Sequence, residues 1–393
     1  MKRLFDVVNF NADASCLSAG RWLSLLQGGE GSALTDWLRL YVDFGKKVII
    51  GFTGATIADI SSRNPEAIDL INRHPEIFEI ILRPFSHDIA LTRIGNGFSL
   101  NFEYGRKAIL KEFGNIRNFF LPPEFMLTNQ QIAELKENGV EGIFINPSRF
   151  STELGKRIPV FPYTIRGLFG SSIGCISFRG KLTDRYLEAI HKFDCGGWNN
   201  GVFSEQEENL FSWRDGESSF LLPAGLARES FWLGNEDPAI ERAHLKGARI
   251  SFTPNEDLEG SQYKTYPVHP FSAWMKEFRM LGFINRIRRI EESLDDLTEE
   301  QVHLWLMVIN SDILSAIEKK SPVVSLRDAP DGQPPHDFRI HRSERGFEGE
   351  EYLALLEMVI SGKEPPARSL LSDEPHMIKM KTRTCYLNEL SRR

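Results

Sequence analysis

Cysteine is scarce in this 393-residue chain. There are four, at positions 16, 175, 195 and 385, and no two form a Cys-x-x-Cys pair or the spacing of a zinc site. That argues against a disulfide framework and a cysteine-held metal, and the thiols are expected to be reduced and mostly buried. Long apolar runs are missing too: no stretch approaches the roughly 20 residues a bilayer span requires, so no membrane partner is expected. At the N-terminus Lys2 and Arg3 precede an apolar stretch broken by Asp6, Asn9, Asn11 and Asp13, which does not read as a secretory leader. A cytoplasmic location is expected. Basic charge is also in deficit, with 47 Lys and Arg against 54 Asp and Glu and a net charge of -7. A nucleic-acid partner is therefore not expected, because phosphate binding needs Lys and Arg gathered on one face. The run Gly167…Gly170…Gly174 lacks the Lys-Ser/Thr ending of a phosphate loop, and neither a cofactor nor a metal is expected.

What is present is enough apolar material, 41% of residues, for a large core. Short β-branched and apolar runs at 4–10, 47–52, 77–82, 117–121 and 142–146 predict buried strands. Helical patterns fall between them at 33–44, 66–74, 101–113 and 128–138. Gly114 stands where helix C-caps favour glycine. Thr128 with Gln131 forms a capping box. Strands alternating with helices imply parallel pairing through crossovers. Further strands are predicted at 159–162, 174–178, 209–213 and 248–252, with a helix and then a loop over 179–206. From about 270 the pattern is helical, clearest at 299–319, where Val302, Trp305, Leu306, Ile309 and Ile313 make one apolar stripe behind a Thr298–Gln301 cap. Residues 326–346 read as loop and the last twenty or so as a frayed end. The division expected is a β/α barrel over 1–268, a helical region over 269–365 and a polar tail over 366–393.

In a parallel β/α architecture reactive groups sit at the C-terminal ends of strands. Polar residues follow the apolar runs at four places. After the first strand comes Asn9-Phe10-Asn11-Ala12-Asp13, where alternation points Asn9 and Asn11 the same way; the alternative is an Asn/Asp-rich turn. After 77–82 comes Arg83-Pro84-Phe85-Ser86-His87-Asp88, where His87 is a candidate ligand or a structural histidine. After 117–121, two prolines stiffen the backbone before Glu124, a placement that suits a nucleophile or, alternatively, a carboxylate opening a helix. Last comes Phe211-Ser212-Trp213-Arg214-Asp215-Gly216-Glu217. Trp213 there is a candidate for stacking on a sugar, and a cation near Asp215 would keep a carboxylate ionised; the alternative is an Asp-Gly turn. Two carboxylates on separate strand ends are what glycoside hydrolysis needs.

These segments, in this order, resemble glycoside hydrolase family 57, a mainly α-glucan-active group. Its His-x-His falls on Asn9-Phe10-Asn11, and its second motif on Phe85-Ser86-His87-Asp88. Its nucleophile motif looks like Phe120-Leu121-Pro122-Pro123-Glu124, behind a family-like Gly105…Phe113-Gly114. Its acid/base motif looks like Arg214-Asp215-Gly216-Glu217, 91 residues beyond Glu124. Asn310-Ser311-Asp312 resembles the Asn-Asp element of its helical region. The resemblance implies a distorted (β/α)7-type barrel with a C-terminal helical region. It implies a carbohydrate substrate and a retaining hydrolase or transglycosylase, with Glu124 as nucleophile and Asp215 as acid/base. Asn9, Asn11, His87, Trp213 and Asp312 would then contact sugar.

The departures from the family are specific. Asn stands for both histidines of the first motif, and Asn does not titrate near neutrality. Ile313-Leu314-Ser315 stands where a Trp-His-Gly cluster is usual. They motivate a second expectation, a barrel without catalysis that binds a glycan or a partner protein. Metal-dependent deacetylation, which the same barrel type serves, needs an Asp and two His about four residues apart, and His87 has no such partner in sequence.

Overall fold

The computed structural model describes residues 2–11, 26–146, 159, 161–178, 202–206, 209–216, 225–258, 278–311, 337–363 and 374–392. The strands are β1 (Lys2–Phe10), β2 (Val48–Phe52), β3 (Phe78–Leu82), β4 (Ile116–Phe120), β5 (Gly142–Ile145), β6 (Tyr163–Arg166), β7 (Ser172–Ser177), β8 (Val202–Gln206), β9 (Asn209–Asp215) and β10 (Ile240–Arg242). Their order is β6-β7-β5-β4-β3-β2-β1-β9-β8, with β10 beside β1. The seven strands from β7 to β9 along this path are all parallel, while β6 and β8 add antiparallel edges. This is the expected distorted (β/α)7 barrel. Every residue of β2 and β3 is buried, as strands covered on both faces require.

Alternation sorts the side chains into two cores. Phe5, Val7, Ile49, Ile81, Phe119, Phe144, Ile176, Phe211 and Trp213 form one cluster, the barrel interior. Val8, Phe10, Ile50, Ile80, Phe120 and Ile143 belong to the other, packed under helices. The helices are α1 (Ala33–Asp43), α2 (Gly54–Arg63), α3 (Pro65–Arg73), α4 (Gly97–Glu112), α5 (Asn129–Glu137), α6 (Gly225–Gly234), α7 (Phe278–Glu291), α8 (Glu299–Val308), α9 (Asp337–Ile360) and α10 (Glu374–Ser391). Among the described residues no helix is long and apolar enough to cross a membrane. Gly105 lets α4 lie against the loop after β3: a Cβ there would stand 2.3 Å from the Arg83 carbonyl oxygen.

Several sequence expectations are corrected. The strand expected at 159–162 runs from Tyr163 to Arg166, and 248–252 is no strand; a single bridge joins Thr253 to Tyr163. Helix α4 ends at an extended Phe113, so Gly114 is not a left-handed cap. Helices α2 and α6 and strands β8 and β10 are additions, and the rest of the helix and loop expected over 179–206 lies outside the described residues. The predicted 299–319 helix breaks after Val308, where Ile309 takes φ -77° and ψ 67°. Every residue from Val302 to Val308 is buried, so α8 carries no single stripe. Residues from 337 are helical, and the expected frayed end is α10. That helix buries Tyr386, Leu387 and Leu390 and pairs Arg383 with the buried Asp59 at 2.8 Å.

Candidate active site

The C-terminal ends of the parallel strands gather most of the candidate residues. Asn9 lies in register with Gly51 of β2 on one side and Asp215 of β9 on the other. Asn9 and Asn11 are buried, at 4% and 0% exposure. The Asn9 carbonyl accepts from the Gly216 N–H at 2.7 Å. Gly216 has no left-handed φ. Its lack of a side chain is needed because a Cβ would stand 2.4 Å from the Phe10 ring. The Asp-Gly pair thus records close packing rather than a left-handed turn. The Asp215 side chain, Glu217 and Asp312 lie outside the described residues.

Glu124 sits in a short 3-10 turn, Pro123–Phe125, after β4. Both Glu124 (φ 52°) and Phe125 (φ 57°) take left-handed backbone. That conformation costs a non-glycine residue about 1–2 kcal/mol, and such strain clusters at functional sites. Glu124 is half-buried. It does not open a helix, because Thr128 and Gln131 cap α5 reciprocally. Phe125 turns its ring edge-on to Trp213, with centroids 5.1 Å apart, and meets Phe178 at 6.0 Å. The contact brings the β4 tip against β9 two residues before Asp215. Trp213 is 5% exposed, and its ring packs with the barrel-interior cluster.

His87 and the segment after α8 hold each other. His87 Nδ1 stands 2.8 Å from Ser311 Oγ, and its carbonyl accepts from the Ser311 N–H at 2.8 Å. The Ser86 hydroxyl also bonds the Leu306 carbonyl. Beside it, Arg93 is shared by Asp88, at 3.2 Å, and Glu291 of α7. Burial pushes the Asp88 carboxyl up to about 7; Arg93 opposes the rise and Glu291 adds to it.

Arg214 precedes Asp215 on β9. It turns to the helix side of the sheet, where it forks onto Glu229 at 3.1 and 2.7 Å and reaches Asp6 at 3.3 Å. Arg242 binds Asp6 at 2.8 Å, and Ser212 donates to it at 2.6 Å. Burial alone would raise the Asp6 carboxyl, but Arg214 and Arg242 hold it at about 2.

Two residues at the strand ends have no role assigned from the sequence. Arg83, 1% exposed, donates from Nη1 to the Leu121 carbonyl at 2.8 Å. Asn146, after β5, is 1% exposed. Both stand directly after apolar strands, the signal that singled out Glu124. Among the described residues, no three His, Cys, Asp or Glu side chains are grouped to hold a metal.

The chain superposes on a family 57 branching enzyme from Thermococcus kodakaraensis, solved with glucose, at a TM-score of 0.59 and 11% identity over 99% of this chain and 95% of that one. The fold is that of the family 57 glycoside hydrolases. An α-amylase from Thermotoga maritima matches at a TM-score of 0.51 and 11% identity, over 98% and 97% of the two chains. A 4-α-glucanotransferase from Thermococcus litoralis matches at a TM-score of 0.49 and 12% identity over 80% of this chain, which spans 54% of that enzyme. No family model and no curated protein sequence matches the chain.

Proposed function

We propose that this chain is a divergent family 57 enzyme, a retaining hydrolase or transglycosylase acting on an α-linked glucan or oligosaccharide. The contact between Phe125 and Trp213 carries the proposal, because it sets the strained Glu124 turn beside the strand that ends in Asp215. The branching and amylase activities named for the structural neighbours support an α-glucan as substrate.

In the first step the Glu124 carboxylate attacks the anomeric carbon. The glycosidic C–O bond breaks, and Asp215 gives its proton to the departing oxygen. In the second, water or a sugar hydroxyl attacks the same carbon, Asp215 takes its proton, and the ester to Glu124 breaks. Retention needs the two carboxyls about 5–5.5 Å apart. Asn9, Asn11, His87 and Asp312 are proposed to hydrogen-bond sugar hydroxyls, a task that needs no titration.

Glu124→Gln and Asp215→Asn should each lower kcat on an activated α-glucoside by several orders of magnitude while the far-ultraviolet spectrum is unchanged. Near-full activity in either variant overturns the assignment. The second reading, a glycan-binding barrel without turnover, is favoured by the buried Asn9 and Asn11 standing where the family has histidines. It predicts calorimetric sugar binding by wild-type protein with no product.

A further inference from the structure

Arg83 is a buried guanidinium, 1% exposed, and burying a charge costs several kcal/mol unless it is answered. Its stem runs along Gly51. A Cβ on Gly51 would meet Arg83 Cγ and Cδ at 3.3 Å and Ile81 Cγ1 at 3.4 Å, so the barrel interior leaves room for arginine by leaving out a side chain. The Nη1 bond to the Leu121 carbonyl reaches the residue just after β4, three before Glu124. Leu121 is held from the other direction as well, its N–H donating to the Leu82 carbonyl at 3.1 Å. The root of the Pro122-Pro123-Glu124 turn is thus clamped by β3 and its successor. The turn is one that glutamate does not adopt for its own conformational preference.

We propose that Arg83 is a positioning residue for Glu124: its guanidinium pins the root of the left-handed turn and supplies a fixed positive charge beneath the strand ends that favours the ionised carboxylate. This rests on Glu124 being the nucleophile. A nearby cation favours a carboxylate's charged form, and in a buried setting the effect is screened far less than at the surface. Lysine keeps the charge but not the planar fork, and glutamine keeps a donor for the Leu121 carbonyl but not the charge.

The test compares Arg83→Lys and Arg83→Gln on an activated α-glucoside across pH. Arg83→Gln should lower kcat at least 30-fold with KM changed less than threefold, and move the acidic limb of the kcat profile upward by a pH unit or more. Arg83→Lys should leave that limb within about 0.3 units of wild type. Gly51→Ala, which crowds the arginine stem without removing it, should move the limb in the same direction by less. An unmoved acidic limb in Arg83→Gln, or equal shifts in the Lys and Gln variants, overturns the proposal. If wild type shows no turnover, the nucleophile reading is what fails, and the charge coupling is then read from urea midpoints of Arg83→Gln, Glu124→Gln and the double variant. A double variant less destabilised than the sum of the singles supports the coupling, and additivity refutes it.

Discussion

Glu124→Asn should be more stable than Glu124→Gln, which loses the same carboxylate but keeps the strained backbone, while both abolish turnover. At φ 52° and ψ 10° Glu124 sits in left-handed backbone, where a side chain with a Cβ costs about 1–2 kcal/mol. Asparagine tolerates that region better than glutamate, so relief of part of the strain should return about 0.5–1 kcal/mol. For a chain this long that corresponds to a rise in Tm of about 1 °C. Glycine relieves more strain but loses about as much through unfolded-state freedom, so Glu124→Gly should be close to Glu124→Gln. The fold holds its own control. Phe169, in the turn between β6 and β7, has φ 58° and is 94% exposed, and that turn lies at the N-terminal end of β7, opposite the strand ends that carry the site. Phe169→Asn should give a similar gain and leave kcat unchanged. The assay is reversible urea unfolding of these variants beside steady-state kinetics. If Glu124→Asn is no more stable than Glu124→Gln while Phe169→Asn gains stability, the strain assigned to the Glu124 backbone is refuted.

Asp88→Asn should change how stability depends on pH. Burial holds the folded Asp88 carboxyl at about 7, above the ordinary aspartate value of 3.8, so its contribution is full below about 3.8 and is lost as pH rises through 7. The Asn variant should therefore gain on wild type between pH 5 and pH 8 in urea titrations, and a constant gap contradicts the assignment. Asp6 runs the other way: held at about 2, it stabilises above 3.8 and its contribution is lost as pH falls through 2. Asp6→Asn at pH 7 leaves Arg214 and Arg242 short of a buried partner and should cost about 3–5 kcal/mol by chemical denaturation. Gly105→Ala should cost about 3 kcal/mol or more, since its Cβ would strike the backbone of Arg83 and Pro84, and an unchanged Tm would show that α4 can move away.

The central strands were legible in the sequence because each is buried on both faces, which leaves short apolar runs that little else produces. Both capping boxes were legible for the same local reason: Thr128 with Gln131, and Thr298 with Gln301, act over three residues. What escaped depends on distant partners. Asp6 and Arg214 read as polar interruptions, yet they answer each other across 208 positions on the helix side of the sheet. The polar C-terminal stretch reads as a tail until Arg383 meets Asp59 and Tyr386 meets Glu112 at 2.9 Å. At the site, two prolines announced a rigid tip but not its left-handed sense, and Trp213 announced an aromatic but not its burial against Phe125.

The most direct measurement is covalent trapping with a fluorinated α-glycosyl fluoride, followed by peptide mass spectrometry. A glycosyl adduct on Glu124, formed by wild type and absent from Glu124→Gln, is the predicted result. Labelling of another carboxylate, or sugar binding with no adduct, would contradict Glu124 as the nucleophile.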